Sequence, residues 1–66
     1  MNYKIEEARK RMGMSQAELA QKSGVSRTTI SGLESGRVKN TTAETLLKIA
    51  RALDVQVDDI FFAHAV

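Results

Sequence analysis

The stretch SQAELAQKSGVSRTTISGLESG, residues 15–36, predicts two short amphipathic helices joined by a tight turn. Ser15 and Glu18 have the spacing of a capping box, in which each side chain satisfies the backbone amide of the other residue. Gly24 stands after the first helix at a position suited to a left-handed cap, and Ser26 is a good N-cap for a helix over residues 27–35. Gly36 ends that second helix, so the stretch predicts a complete helix pair.

The apolar residues of this pair follow a twenty-residue pattern that begins at Gln16. The fourth, fifth, ninth, tenth, fifteenth and eighteenth positions are Leu19, Ala20, Gly24, Val25, Ile30 and Leu33. Ala20 is small enough for two helices to cross closely, and Gly24 tolerates the positive φ of a tight turn. The other four residues are expected to form a shared core. This spacing favours a helix-turn-helix over residues 16–35, with an ordinary helical hairpin as the alternative.

The remaining segments bring the predicted number of helices to five. Helical periodicity predicts a first helix over residues 3–12, and a second capping box at Thr41 and Glu44 predicts a fourth helix that runs to Leu53. The expected inner faces are Ile5, Ala8, Arg9 and Met12 in the first helix and Leu46, Leu47, Ile49, Ala50 and Leu53 in the fourth. Residues 57–66 predict a short closing helix. The chain therefore reads as one all-α domain over residues 1–66.

Composition limits the classes of function that the chain can have. It has 66 residues with no cysteine and no proline, so its core must come from helix packing without disulfides or thiolate-bound metals. We expect a cytoplasmic protein without a membrane span, because no apolar run approaches the ~20 residues that a span needs. The single histidine, His64, is close to the C-terminus, and there is no phosphate-binding glycine loop. We therefore expect no enzyme activity, metal, cofactor or small-molecule substrate.

Charge is distributed unevenly along the chain. Residues 1–39 contain eight Lys and Arg against four Asp and Glu, whereas residues 40–66 contain two against four. The net charge of +2 alone says little, but this division predicts that one end of the fold is basic.

Three segments carry a resemblance to a known family: MSQAELAQKSGVS at 14–26, TTISGLESGR at 28–37 and LLKIARALDVQVDDIF at 46–61. Together they make the chain resemble the Cro/C1-type helix-turn-helix regulators, over nearly its whole length. The resemblance implies a compact five-helix fold like that of lambda repressor. It also implies that the third helix lies in the major groove of DNA while the second crosses the phosphate backbone.

The start of the third helix holds the residues expected to read bases. Arg27 has the geometry for a bidentate contact to guanine, and Thr28 suits a thymine methyl or a single acceptor. Thr29 and Ser31 complete the expected base-reading set. Gly32 follows where related repressors often place a long reading side chain, and its lack of a side chain is expected to let the backbone approach DNA closely. For Arg27 the alternative is a solvated charge at a helix end.

Other polar residues are expected to contact phosphates or to hold the fold. Gln16 resembles the family glutamine that binds the DNA backbone, and Arg37, Lys39 and Asn40 follow the third helix as further phosphate contacts. Arg9 and Glu34 lie on inward faces, where an isolated charge would be costly, so we expect them to pair. The resemblance implies the same ion pair between the first and third helices.

The C-terminal segment is expected to serve dimerisation. Ile60 and one phenylalanine are expected to close the core, but so short a helix cannot bury every apolar residue in this segment. We therefore assign a dimer contact to Ile60, Phe61, Phe62 and Val66, with a tail folded over its own core or disordered as the alternative. The sequence predicts a double-stranded DNA-binding regulator, a repressor acting as a homodimer on a palindromic operator. The alternative is a protein-interaction module such as an antitoxin or anti-repressor.

Overall fold

Five helices and two very short strands make up the described part of the chain, which is residues 2–38 and 40–62 of a computed structural model. The elements are β1 (Asn2–Tyr3), α1 (Ile5–Arg11), α2 (Gln16–Ser23), α3 (Arg27–Ser35), α4 (Ala43–Leu53), α5 (Val57–Ile60) and β2 (Phe61–Phe62). The prediction of an all-α fold with five helices is confirmed, and the pair of two-residue strands is an addition to it. No helix within these residues is long and apolar enough to cross a membrane.

The caps of the central helix pair form as the sequence predicts. Ser15 Oγ accepts from Glu18 N at 3.0 Å, and Ser15 N donates to Glu18 Oε1 at 2.9 Å. The Glu18 carboxylate accepts the hydrogen bond from Ser15 N and is also hydrogen-bonded to the Ser15 side chain. Because both hydrogen bonds favour the charged carboxylate, the pKa of Glu18 is lower than its ordinary value. Gly24 has φ 76° and closes α2 by donating its N–H to Ala20 O at 2.9 Å. Ser26 then caps α3 by accepting from Thr29 N at 3.1 Å.

The core lies between α2, α3 and α4, and α1 packs against α3 and α4. Its fully or almost fully buried side chains are Ile5, Leu19, Ile30, Leu33, Ile49, Leu53 and Ile60. Leu19, Val25, Ile30 and Leu33 belong to one cluster, so the core predicted from the twenty-residue pattern is confirmed. This packing holds α3 rigidly against α2 and leaves the opposite side of α3 facing outward.

Two residues predicted to be in the core are exposed. Met12 is 49% exposed because α1 ends at Arg11, so Met12 lies at the cap where the chain turns away. Leu47 is 42% exposed because it is about 100° around α4 from Leu46, outside the stripe that faces the core.

The N-cap of the fourth helix is one residue later than predicted. Thr42, with extended backbone, accepts from Thr45 N at 3.1 Å and is the N-cap in place of Thr41. The predicted capping box of Thr41 and Glu44 is therefore wrong, because Glu44 falls in the first turn and its carboxylate lies 3.9 Å from Lys48 Nζ.

The first and last described segments of the chain, β1 and β2, pair as antiparallel strands. Tyr3 pairs with Phe61, and Lys4 N donates to Ile60 O at 2.8 Å. This pairing corrects two predictions: the first helix begins at Ile5 rather than residue 3, and the closing helix ends at Ile60 rather than running through residues 57–66. The backbone after Ile60 extends because its hydrogen bonds go to the N-terminal strand instead of to a continued helix.

Candidate nucleic-acid interface

A buried polar network connects α1, α2 and α3 directly behind the exposed side of α3. Arg9 Nε donates to Glu34 Oε2 at 2.8 Å and Arg9 Nη2 to Glu34 Oε1 at 3.1 Å, so the guanidinium and carboxylate form a bidentate pair. The side chains are only 10% and 5% exposed, and Arg9 Nη1 also donates to Met14 O at 2.8 Å. The ion pair expected from the sequence is therefore present. The hydrogen bond to Glu34 raises the pKa of Arg9, which favours the charged guanidinium that the ion pair requires.

Gln16 extends this network toward the outer surface. Its Nε2 donates to Glu34 Oε1 at 2.9 Å, which fixes the amide at the start of α2. An amide nitrogen has two hydrogens and the amide also has a carbonyl oxygen, so Gln16 keeps hydrogen-bonding groups beyond the one that Glu34 uses. Half-buried and held in place, Gln16 lies at the border between the core network and the exposed side of α3.

The exposed side of α3 and its neighbours line an open groove of about 300 Å³. The lining residues are Gln16, Arg27, Thr28, Ser31 and Arg37. Three of the four predicted base-reading residues and two of the four predicted phosphate-contacting residues therefore share one surface, which we call the α3 groove. It contains two guanidinium groups and no carboxylate, so it suits an anionic or acceptor-rich partner.

Thr29 lies apart from the other predicted base-reading residues. It is half-buried, about 100° around the helix from Thr28, and does not line the α3 groove. Its hydroxyl accepts from the Ser26 hydroxyl at 2.8 Å, and its backbone amide donates to the same Ser26 oxygen at 3.1 Å. Thr29 therefore belongs to the cap of α3, and we leave it out of the proposed reading set.

Arg27 and Arg37 differ from the arginines of α1 in having no carboxylate partner among the described residues. In α1, Arg9 and Arg11 both lie within 4.0 Å of glutamates. The two groove arginines make no such ion pair in the described part of the chain. An exposed, unpaired guanidinium at the start of α3 gains nothing from the helix dipole, so its position is better explained by a ligand than by stability.

Gly32 has a structural role that the sequence did not reveal. A Cβ at this position would lie 2.5 Å from Val38 Cγ2 and 3.2 Å from Val38 Cβ. Val38 is held there because its N–H donates to Gly32 O at 3.0 Å. Gly32 is therefore buried under Val38, and the expectation that it lets the backbone approach DNA is wrong. The signal for this contact is the single apolar residue in the basic segment GRVKN, residues 36–40.

The remaining predicted site residues lie outside the α3 groove or outside the described residues. Asn40 is exposed on the segment between α3 and α4. Lys39 and Val66 lie outside the described residues, as do the side chains of Phe61 and Phe62. Ile60 is 0% exposed within its own chain, so its expected place in the core is confirmed, and we leave it out of the proposed dimer contact. Among residues 2–38 and 40–62 no group of His, Cys, Asp or Glu could hold a metal.

The chain is similar to DNA-binding regulators in sequence and in structure. The sequence model of the helix-turn-helix family matches residues 5–60. An HTH-type transcriptional regulator of Archaeoglobus fulgidus is 43% identical over 61 residues, covering 92% of this chain and 86% of that protein. The restriction-modification controller protein C.AhdI from Aeromonas hydrophila has a TM-score of 0.81 at 36% identity, covering 88% of this chain and 86% of that one.

SinR, described as the master regulator for biofilm formation, is similar in two solved structures. Its complex with DNA matches with a TM-score of 0.79 at 37% identity, covering 82% of this chain and 86% of that one. Its complex with SinI matches with a TM-score of 0.81 at 36% identity, where the match covers 85% of this chain and only 54% of the SinR chain.

The crossed pair of α2 and α3, together with the basic groove on the outward side of α3, defines a helix-turn-helix DNA-binding protein. The chain belongs to the Cro/C1-type helix-turn-helix family of DNA-binding transcriptional regulators. Proteins of this family bind DNA and are not enzymes.

Proposed function

We propose that this protein represses transcription by binding as a homodimer to a palindromic operator in the cytoplasm. The observation that carries the proposal is the α3 groove, where Arg27, Thr28 and Ser31 share one exposed surface with Gln16 and Arg37. Side chains at the start of a helix reach base edges in the major groove when the helix is held rigidly behind. Here the core and the buried pair of Arg9 and Glu34 supply that rigidity.

Each residue of the α3 groove has a role that fits its chemistry. Arg27 donates two hydrogen bonds to guanine O6 and N7, and Thr28 contacts a thymine methyl or a single acceptor. Ser31 adds one hydroxyl on the same side. Gln16 contacts a phosphate with the amide hydrogen that Glu34 leaves available. Lys39 and Asn40 are further proposed phosphate contacts.

A homodimer is favoured because one α3 presents few side chains to the bases. Two copies related by a two-fold axis double the number of base contacts, and the operator then has the same symmetry as the protein. The two α3 helices are expected to bind half-sites about 10 base pairs apart, which is one turn of DNA. Phe61, Phe62 and Val66 remain the proposed dimer contact.

Repression is the simplest regulatory effect of such binding. A protein bound over a promoter excludes polymerase by occupancy alone, and this requires no chemistry. The proposal is tested by transcription in vitro from a promoter that carries the selected operator. Less transcript is expected as protein is added, and more transcript would contradict the repressor role.

The central experiment is selection of bound sequences from random duplex DNA, followed by binding measurements on the selected site. We expect a palindromic site and a protein that sediments as a dimer. Arg27→Ala is expected to weaken specific binding by about 1–3 kcal/mol. Arg51→Ala is the matched control, because Arg51 is an exposed arginine on α4 outside the α3 groove, and it should leave sequence preference unchanged.

The alternative function is protein interaction, as in an antitoxin or anti-repressor. The solved complex of SinR with SinI gives this alternative a specific basis, since that similar protein has a protein partner. If no sequence is enriched and Arg27→Ala has no effect on DNA binding, the proposal of sequence-specific DNA binding is contradicted. A protein-interaction module is then the favoured function.

A further inference from the structure

The second turn of α3 has no long side chain to offer to DNA. On its outward side, Arg27, Thr28 and Ser31 are followed only by Ser35, because Gly32 is buried under Val38. A side chain at residue 32 does not fit against Val38, since its Cβ would lie 2.5 Å from Val38 Cγ2. If α3 alone read the bases, its reach would end after the first turn and a half.

The guanidinium of Arg37 lies beside the position at which a side chain of residue 32 would begin. Arg37 Nη2 is 3.7 Å from the Cβ position of Gly32, which is an ordinary van der Waals distance. Arg37 also lines the α3 groove together with Arg27, Thr28 and Ser31. Its side chain therefore lies along the outward side of α3 rather than at the rim.

The backbone after α3 is tied down so that Arg37 keeps this position. Arg37 N donates to Ser35 Oγ at 3.3 Å, and Ser35 Oγ donates to Gly32 O at 3.2 Å. Val38 N donates to the same Gly32 oxygen at 3.0 Å. Hydrogen bonds therefore hold the segment on both sides of the Arg37 side chain, and no carboxylate in the described residues pairs with its guanidinium.

We propose that Arg37 is a base-reading residue that takes the place of the side chain missing at Gly32. This inference rests on the proposed DNA-reading function, and it replaces the phosphate contact that the sequence assigned to Arg37. A guanidinium on this surface has the donor fork that matches guanine O6 and N7. Each half-site then contains two guanines that are recognised by arginine, one by Arg27 and one by Arg37.

The spacing of the two guanines follows from the helix. Residues 27 and 32 are five positions apart, which is about 7.5 Å along an α-helix at a rise of 1.5 Å per residue. Base pairs are about 3.4 Å apart along DNA, so a helix that is inclined in the groove should place the two guanines within roughly two base-pair steps of each other. They can be on either strand.

The test compares the selected operator with variants in which each base pair of a half-site is replaced in turn. The wild-type protein is expected to lose about 5- to 150-fold in affinity when either guanine is replaced. Arg37→Ala should bind the selected site more weakly and should no longer distinguish bases at the second guanine, while discrimination at the Arg27 guanine is kept. Arg37→Lys should also lose that discrimination, because lysine keeps the charge but lacks the fork.

A phosphate contact gives a different result. It predicts that Arg37→Ala weakens binding to all sequences equally and leaves every base preference intact. The slope of log K against log salt concentration should then become shallower by about 1, as expected for the loss of one phosphate contact. That outcome would overturn the inference and leave the proposed function standing. If the wild-type protein prefers no sequence at all, the inference and the proposed function both fail. Arg51→Ala controls for the loss of one positive charge, and far-UV circular dichroism checks that each variant is folded.

Discussion

Removing the carboxylate of Glu34 should cost a large part of the stability of this protein. In Glu34→Ala, the guanidinium of Arg9 keeps its hydrogen bond to Met14 O and a distant Glu6 at 4.0 Å, but it loses both bonds to Glu34. The Arg9 side chain is only 10% exposed, so water cannot replace the lost partner fully. Gln16 loses its acceptor as well.

The magnitude follows from leaving a buried charge without its partner. Breaking a buried pair in this way costs about 3–5 kcal/mol. A domain of 66 residues has a total stability of about 3–10 kcal/mol, at roughly 0.05–0.15 kcal/mol per residue. We therefore expect Glu34→Ala to be marginally folded or unfolded at 25 °C.

The assay is urea unfolding followed by far-UV circular dichroism. Glu34→Gln should lie between Glu34→Ala and wild type, because its amide oxygen still accepts a hydrogen bond. The double variant Arg9→Met with Glu34→Leu should recover most of the stability, since replacing both charges by apolar side chains leaves no unpaired charge in the core.

Glu44→Ala is the matched control for this measurement. It breaks a pair with Lys48 that is 3.9 Å long and mostly exposed, with side-chain exposures of 79% and 51%, and should cost less than about 1 kcal/mol. If Glu34→Ala cost no more than this control, the central role given to the buried pair would be refuted.

Three further substitutions test other parts of the structure. Gly32→Ala should lower stability by about 1 kcal/mol despite the better helix propensity of alanine, and this cost should vanish in a Val38→Ala background, where the 2.5 Å contact is gone; equal effects in both backgrounds would contradict the proposed packing. Glu18→Gln should be less stable than wild type at neutral pH, and because the pKa of Glu18 is lowered by folding, its contribution is complete above the ordinary value of 4.5 and disappears as pH falls through the lower folded value; a difference that persisted in strong acid would disagree with this cause. Asp54→Gly should raise the thermal midpoint, with a gain of about 0.5–1 kcal/mol, because Asp54 ends α4 at φ 57° in the left-handed region; no gain would show that the aspartate side chain compensates for this conformation.

The sequence predicted the elements whose causes are local. Ser15, Glu18 and Gly24 act on backbone groups within a few residues, so their caps could be identified from spacing alone. Arg9 and Glu34 were identified as a pair because an inward-facing charge is costly unless a charge of opposite sign lies beside it. These features set the helix pair and the network behind it.

Other features depend on contacts between distant residues. Gly32 lies under Val38 because the chain turns back after α3, and the one apolar residue in the basic segment at 36–40 does not by itself give that direction. The strand pairing of Tyr3 with Phe61 joins opposite ends of the chain, so helical periodicity near either end pointed to longer helices instead. Thr41 and Thr42 offer the same hydroxyl chemistry, and Glu44 favoured the wrong one of the two.

The pairing of β1 with β2 also has a consequence for synthesis of the protein on the ribosome. Residues 2–3 are made before residues 61–62, so the first strand has no partner until about 60 further residues have been translated. At about 5–20 residues per second, this delay lasts several seconds, whereas α2 and α3 can meet soon after they emerge. We therefore expect a truncated, released chain that stops before residue 61 to contain the helix pair while its residues 2–3 are still open to proteases.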